Sequence, residues 1–172
     1  MTDHDALVYD LDGTLVRLAV DWNEVAADVR SVLADRGVDV PREEDLWAML
    51  ERSEETGHRA AVEAAIAEHE RAGARESTRL PHADRIPEDR PVGVCSLNCE
   101  AACRIALETH GLTGRVAAIV GRDSVGAEKP DPEPLLATVR DLGADPERTL
   151  FLGDSPRDEE CARAAGVDFE YV

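Results

Sequence analysis

A chain of 172 residues, 43% hydrophobic and 33% charged, is long enough for one domain, or a core domain with a small insertion, to bury its apolar surface without disulfides. Its net charge of −18 argues against nucleic acid or anionic membrane as partners, because both repel such a surface. No apolar run approaches the roughly 18–20 residues of a membrane span. The acidic start, MTDHDALVYD, lacks the layout of a signal peptide, so a cytoplasmic location is expected.

The predicted elements begin with Ala6–Asp10, a short apolar run ending in acid that reads as a buried strand. Leu11–Thr14 is a tight turn containing Gly13. From Asp21 the period becomes helical: Trp22, Val25, Val29, Val32 and Leu33 share a face, with Asp21 as N-cap and Gly37 as stop. Pro41 is expected to open a second helix to about Arg52, and Thr56 to cap a third, Ala-rich one to about Arg71. Residues 74–91 are polar, hold three prolines and read as a connector with at most a short helix.

Strands and helices then alternate. Val92–Ser96 is a strand, Asn98 the predicted cap of a helix ending near Gly111, and Val116–Val120 a strand. Pro132–Leu142 is a helix, Thr149–Gly153 a strand, Asp158–Ala165 a helix stopped by Gly166, and Val167–Val172 a last strand. Such alternation implies a parallel sheet with helices on both faces. The pattern is that of an α/β core interrupted after its first strand by a helical insert.

In open parallel sheets, ligands bind beyond the carboxyl ends of the strands. Four positions there carry polar groups. Asp10 and Asp12 are two apart and project to one side in extended backbone; their repulsion calls for a divalent cation or a shared proton. Ser96, with Asn98 at a helix start, suits a phosphate oxygen. Glu128-Lys129-Pro130-Asp131 places an ammonium at the head of a helix. Gly153-Asp154-Ser155-Pro156-Arg157-Asp158 adds two carboxylates where Gly153 permits close backbone approach. Each alone is a common turn or cap; four in this order on one sheet point to a site.

Of the 19 basic residues, only Lys129 is a lysine. An acid excess with lysine depletion suits a high-salt medium, and a GC-rich codon bias is the competing explanation. Cys95, Cys99, Cys103 and Cys161 lack paired metal spacing and read as buried free thiols. His4, His58, His69, His82 and His110 fall in no ligand pattern and are expected at the surface; Arg17 and Arg122, near motif ends, are expected there too, with contact to an anionic substrate as the alternative. Trp22 and Trp47 fit helix packing or a site wall equally well.

These motifs resemble those of the haloacid dehalogenase superfamily, in its phosphoglycolate-phosphatase-like branch with a helical cap. DLDGTL at Asp10–Leu15 matches the first motif, Ser96 the second, Lys129 in EKPDPEP the third, and GDSPRD at Gly153–Asp158 the fourth. The resemblance covers residues 5–18 and 90–172. It implies a Rossmann-like core of residues 1–18 and 81–172, with residues 19–80 as the cap. It further implies a Mg²⁺-dependent phosphatase acting on a small phosphorylated metabolite. In that reading Asp10 is the nucleophile, Asp12 the general acid and base, and Ser96 and Lys129 hold the transferring oxygens, beside Asn98. Asp10, Asp154 and the Asp12 carbonyl bind the metal, Asp158 orients Lys129 or a metal-bound water, and Gly13 and Thr14 shape the phosphate loop. Asp12, which dehalogenase relatives lack, favours phosphoryl transfer. A phosphomutase of the same branch and a non-catalytic binding protein on this scaffold are the alternatives. Two departures from the pattern are expected: a segment at His82–Arg90 too short for the usual helix, and no helix after the fifth strand.

Overall fold

The computed structural model describes residues 4–172. Five parallel strands form the central sheet: β1 (Ala6–Tyr9), β4 (Val92–Cys95), β5 (Ala118–Val120), β6 (Thr149–Gly153) and β7 (Asp168–Tyr171), in the order β5-β4-β1-β6-β7. β1 lies at the centre, with Leu7 beside Val92 of β4 on one side and Leu150 of β6 on the other. Alternate residues of a strand face opposite ways. Tyr9, Val92, Val94 and Leu152 therefore pack with Ala102, Cys103, Ala106 and Leu107 of helix α4 (Glu100–Thr109). Val8, Cys95 and Phe151 pack on the other face with Leu135 and Val139 of α5 (Glu133–Asp141) and Cys161 and Ala162 of α6 (Pro156–Ala165). This is the α/β Rossmann-like arrangement expected.

The remaining strands, β2 (Val16–Arg17) and β3 (Thr78–Arg79), pair antiparallel, Val16 with Arg79. The sequence gives no sign of them, because two residues are too few to show a period. Between them lie α1 (Trp22–Ala34), α2 (Leu46–Glu55) and α3 (Arg59–Arg75). Their own core is Val25, Val29, Leu33, Met49, Leu50, Val62 and Ile66. Full burial of such a side chain contributes about 1.5–3 kcal/mol, which binds the three helices to one another, while α3 also enters the core on the sheet through Ala74.

Local chemistry corrects several boundaries. Asp21 caps α1 as predicted, accepting from Asn23 N at 2.9 Å. α2, however, opens at Leu46 and not at Pro41, because the Asp45 carboxylate caps it by accepting from Ala48 N at 2.9 Å. Thr56 does not open α3: its hydroxyl donates back to Arg52 O at 2.7 Å and closes α2. α3 starts three residues later with no side-chain cap and runs on to Arg75. Asn98 likewise does not cap α4, whose N-cap is Cys99.

Between β3 and β4 there is only a short 3₁₀ turn, Pro81–Arg85, as the connector reading anticipates. All four cysteines are buried and free. The five histidines are half-buried and not fully at the surface; His4 meets Asp168 at 2.8 Å and His69 meets Asp28 at 2.6 Å. No helix among the described residues is long and apolar enough to cross a membrane.

Candidate active site

The carboxyl ends of β1, β4 and β6 converge on one buried ammonium. Lys129 is 2% exposed, and an ammonium has three N–H donors. Its Nζ donates to Asp10 Oδ1 at 2.9 Å, Asp158 Oδ1 at 2.5 Å and the Cys95 carbonyl at 3.0 Å. The Phe151 ring lies 5.4 Å away. Burial alone would lower the Lys129 pKa, but the charges of Asp10 and Asp158 outweigh it, and the group stays protonated.

Asp10 follows β1 and continues its ladder, Asp10 N donating to Leu152 O at 2.9 Å. Burial pushes its carboxyl up to about 7; Lys129 works against that and Asp158 adds to it. Burial also raises Asp12, which the Leu18 amide opposes by donating to Asp12 Oδ1 at 2.9 Å. Asp154 is raised by partial burial and by Asp158. Carboxylate oxygens of Asp10, Asp154 and Asp158 all lie within 4.8 Å of one another. Of the three, Asp158 is the most committed to the protein: beyond Lys129, its Oδ2 accepts from Ser155 N at 3.2 Å and Ser155 Oγ at 2.7 Å in a capping box at the head of α6.

Two glycines make this crowding feasible. At Gly13, φ is +91°, and a Cβ would lie 2.1 Å from Asp154 Oδ2. At Gly153, a Cβ would lie 2.6 Å from Asp158 Oδ2. Gly13→Ala combines a left-handed backbone with a clash against a carboxylate. We expect it to lower stability by about 1–3 kcal/mol, read by urea unfolding.

Ser96 follows β4, its N–H bonded to Val120 O at 2.9 Å. Its hydroxyl donates to Asn98 Oδ1 at 3.0 Å and accepts from Asn98 N at 3.1 Å. Asn98 turns inward because Glu70 of α3 occupies the end of α4, accepting from Cys99 N at 2.9 Å and Asn98 Nδ2 at 3.3 Å. Arg122, expected at the surface, is instead buried against Glu70, with Nη1 to Oε1 at 2.6 Å and Nη2 to Oε2 at 3.0 Å. The Glu70 charge holds the guanidinium protonated against the opposing effect of burial. Arg17 is exposed, as expected.

A cavity of about 610 Å³ lies over these groups. The structure brings Asp10, Asp12, Ser96, Asn98, Lys129, Asp154 and Asp158 together on its walls. Gly13 and Thr14 are not among its lining residues; Thr14 is 1% exposed, and its hydroxyl has no hydrogen-bond partner among the described residues. The opposite wall comes from α1–α3 and includes Trp22, Leu46, Trp47, Leu50 and Ile66. Arg157 of α6 reaches across to stack on Trp47, 4.7 Å from the ring centroid. Sequence reasoning missed Glu70. Its signal was an acid on the apolar stripe of α3, four residues after Ile66 and four before Ala74, both of them buried.

Comparison with known proteins agrees with this geometry. The family model described as haloacid dehalogenase-like hydrolase matches residues 87–172. The chain is 32% identical to a phosphoglycolate phosphatase of Mesorhizobium japonicum, over 96% of this chain and 83% of that protein. It is 30% identical to an N-acetylmuramic acid 6-phosphate phosphatase of Pseudomonas putida, over 94% of this chain and 79% of that protein. In fold it is similar to CbbY from Rhodobacter sphaeroides, solved in complex with phosphate, with a TM-score of 0.72 at 21% identity, covering 98% of this chain and 85% of that one. With this sheet, these four strand-end motifs and relatives alike over nearly the whole chain, the protein is a phosphatase-type enzyme belonging to the haloacid dehalogenase-like hydrolases and related to the phosphoglycolate phosphatases.

Proposed function

We propose that the chain hydrolyses small phosphomonoesters in a Mg²⁺-dependent reaction through a phosphoryl group carried on Asp10. The observation that carries this reading is the buried Lys129 ammonium, shared between Asp10 and Asp158 at the floor of the cavity. Residues 1–18 and 81–172 would form the catalytic core and residues 19–80 the cap that chooses the substrate.

The donor set fits Mg²⁺. Asp10 and Asp154 offer hard oxygens within reach of one another, and a divalent cation would offset the burial that raises both carboxyls and the added push of Asp158. Asp10, Asp154 and the Asp12 carbonyl would hold the ion, whose charge offsets repulsion between phosphate and carboxylate.

Asp10 attacks phosphorus with a lone pair of one carboxylate oxygen while the bond to the leaving oxygen breaks. Lys129 fixes the Asp10 carboxylate and faces the transferring oxygens, and Ser96 offers them its hydroxyl. Asp12, kept protonated more readily by burial, gives its proton to the leaving oxygen. Its carboxylate then takes a proton from the water that attacks phosphorus, releasing phosphate and restoring Asp10. Asp158 holds Lys129 in place from behind.

The test is phosphate release from p-nitrophenyl phosphate and a panel of phosphorylated metabolites. Turnover is expected with Mg²⁺, to vanish in EDTA and to fall with excess Ca²⁺, whose looser shell of about 6–8 oxygens misplaces the nucleophile. Full activity in EDTA would sink the metal assignment, and a panel without any turnover would sink the phosphatase reading.

A further inference from the structure

We propose that Glu70 and Arg122 form a buried closure pair that docks helix α3 onto the ends of β4 and β5 and so positions Ser96 for phosphoryl transfer. The proposal rests on the phosphatase reading for its catalytic consequence, and on contacts already described for its geometry.

Glu70 has no exposed surface, yet its carboxylate accepts four N–H bonds, all from the sheet side: Cys99 N, Asn98 Nδ2 and both Arg122 Nη atoms. Arg122 in turn donates Nη1 to Leu97 O at 2.6 Å and Nε to Glu63 Oε2 at 2.9 Å, and its backbone N–H donates to Asn98 O at 2.9 Å. The segment Leu97–Cys99 is thus gripped at two backbone carbonyls, one amide and one side chain. Asn98 passes this grip to Ser96 through both atoms bonded to the Ser96 hydroxyl. Only Asn98 stands between an α3 carboxylate and Ser96. Arg59 of α3 extends the contact, bridging Glu63 at 2.8 Å and Glu128, the neighbour of Lys129, at 3.4 Å. That outer bridge is more exposed and contributes little.

Charge-assisted, two-pronged bonds of this kind are strong and directional. A buried ion pair adds less net stability than an apolar contact of its size, but removing one partner leaves the other charge stranded. It suits a contact whose value lies in fixing one geometry more than in adding stability. Both line the cavity, but their charged groups are taken up by one another and by residues 97–99, which makes them positioning residues.

The experiment compares wild type, Glu70→Gln, Arg122→Gln and the double variant below their melting temperatures. In steady-state hydrolysis of p-nitrophenyl phosphate, each single change should lower kcat roughly tenfold or more with little change in KM, because a misplaced Ser96 is felt in the transition state. The double variant should be no worse than the poorer single one, since the two act as a unit. Hydrogen exchange provides a readout independent of turnover: amides of 97–103 should exchange faster in every variant while those of β1 do not change. It still decides the closure pair if wild type proves inactive and the phosphatase reading fails. Losses that add in the double variant, or unchanged kcat and unchanged exchange at 97–103, would overturn the proposal. Should Glu70→Gln not fold, Arg122→Lys keeps the charge and removes the fork; wild-type kcat and exchange in that variant would also overturn it.

Discussion

Asp10→Asn is expected to abolish turnover, by at least about a thousandfold, while the protein stays folded. An amide cannot attack phosphorus, and no neighbouring group can stand in. Asp154 is fixed on another strand end, and Asp158 is tied to Ser155 and Lys129. The fold should survive because the carboxylate is poorly accommodated as a charge: burial and Asp158 both push its pKa up. The amide keeps the shape and can still accept from Lys129 through its oxygen. Steady-state assays beside circular dichroism and thermal melts check both halves. Residual turnover above a few per cent would remove Asp10 from the nucleophile's role.

Lys129 carries the second large effect, and here stability and activity fall together. Lys129→Ala leaves Asp10 and Asp158 buried without their cation; breaking a buried pair in this way costs about 3–5 kcal/mol, a large share of an ordinary domain's stability. Lys129→Arg keeps the charge but not the fit. The ammonium satisfies two carboxylates and a carbonyl around a point, whereas a planar guanidinium is wider and reaches its partners in a fork. We expect the Arg variant to fold, to lose most of its activity and to melt lower than wild type. A chain that uses arginine at every other basic position keeps lysine at this one. Near-native kinetics in the Arg variant would show that its compactness is not what the site needs.

The site residues on the strand ends were legible because each ends an apolar run: ALVYD, VGVCS and TLFLGD pass from core to cavity within one residue. The parallel sheet followed from the same runs. What escaped was set by tertiary contact. Asn98 has the composition of a cap, but Glu70 and Asp123, distant in sequence, take the Cys99 and Glu100 amides. Arg122 reads as surface until Glu70 is placed opposite it. Pro41 suits a helix start, yet the chain turns through residues 42–43, and Glu44 pairs with Arg52 from outside the helix. Local pattern finds elements; partners far along the chain decide their ends.

The two-residue ribbon has a consequence for how such a protein can change. Because Val16 lies beside Arg79, and Leu80 N donates to Leu15 O at 2.9 Å, the chain leaves and re-enters the core at adjacent points. The sheet therefore imposes no span on what lies between, and lengthening that excursion costs only about 0.6 kcal/mol per doubling in closure entropy. Helices α1 and α2 can be lengthened, trimmed or exchanged at this seam without moving Asp10, whereas α3 is bound to keep Glu70 against Asn98 and Cys99.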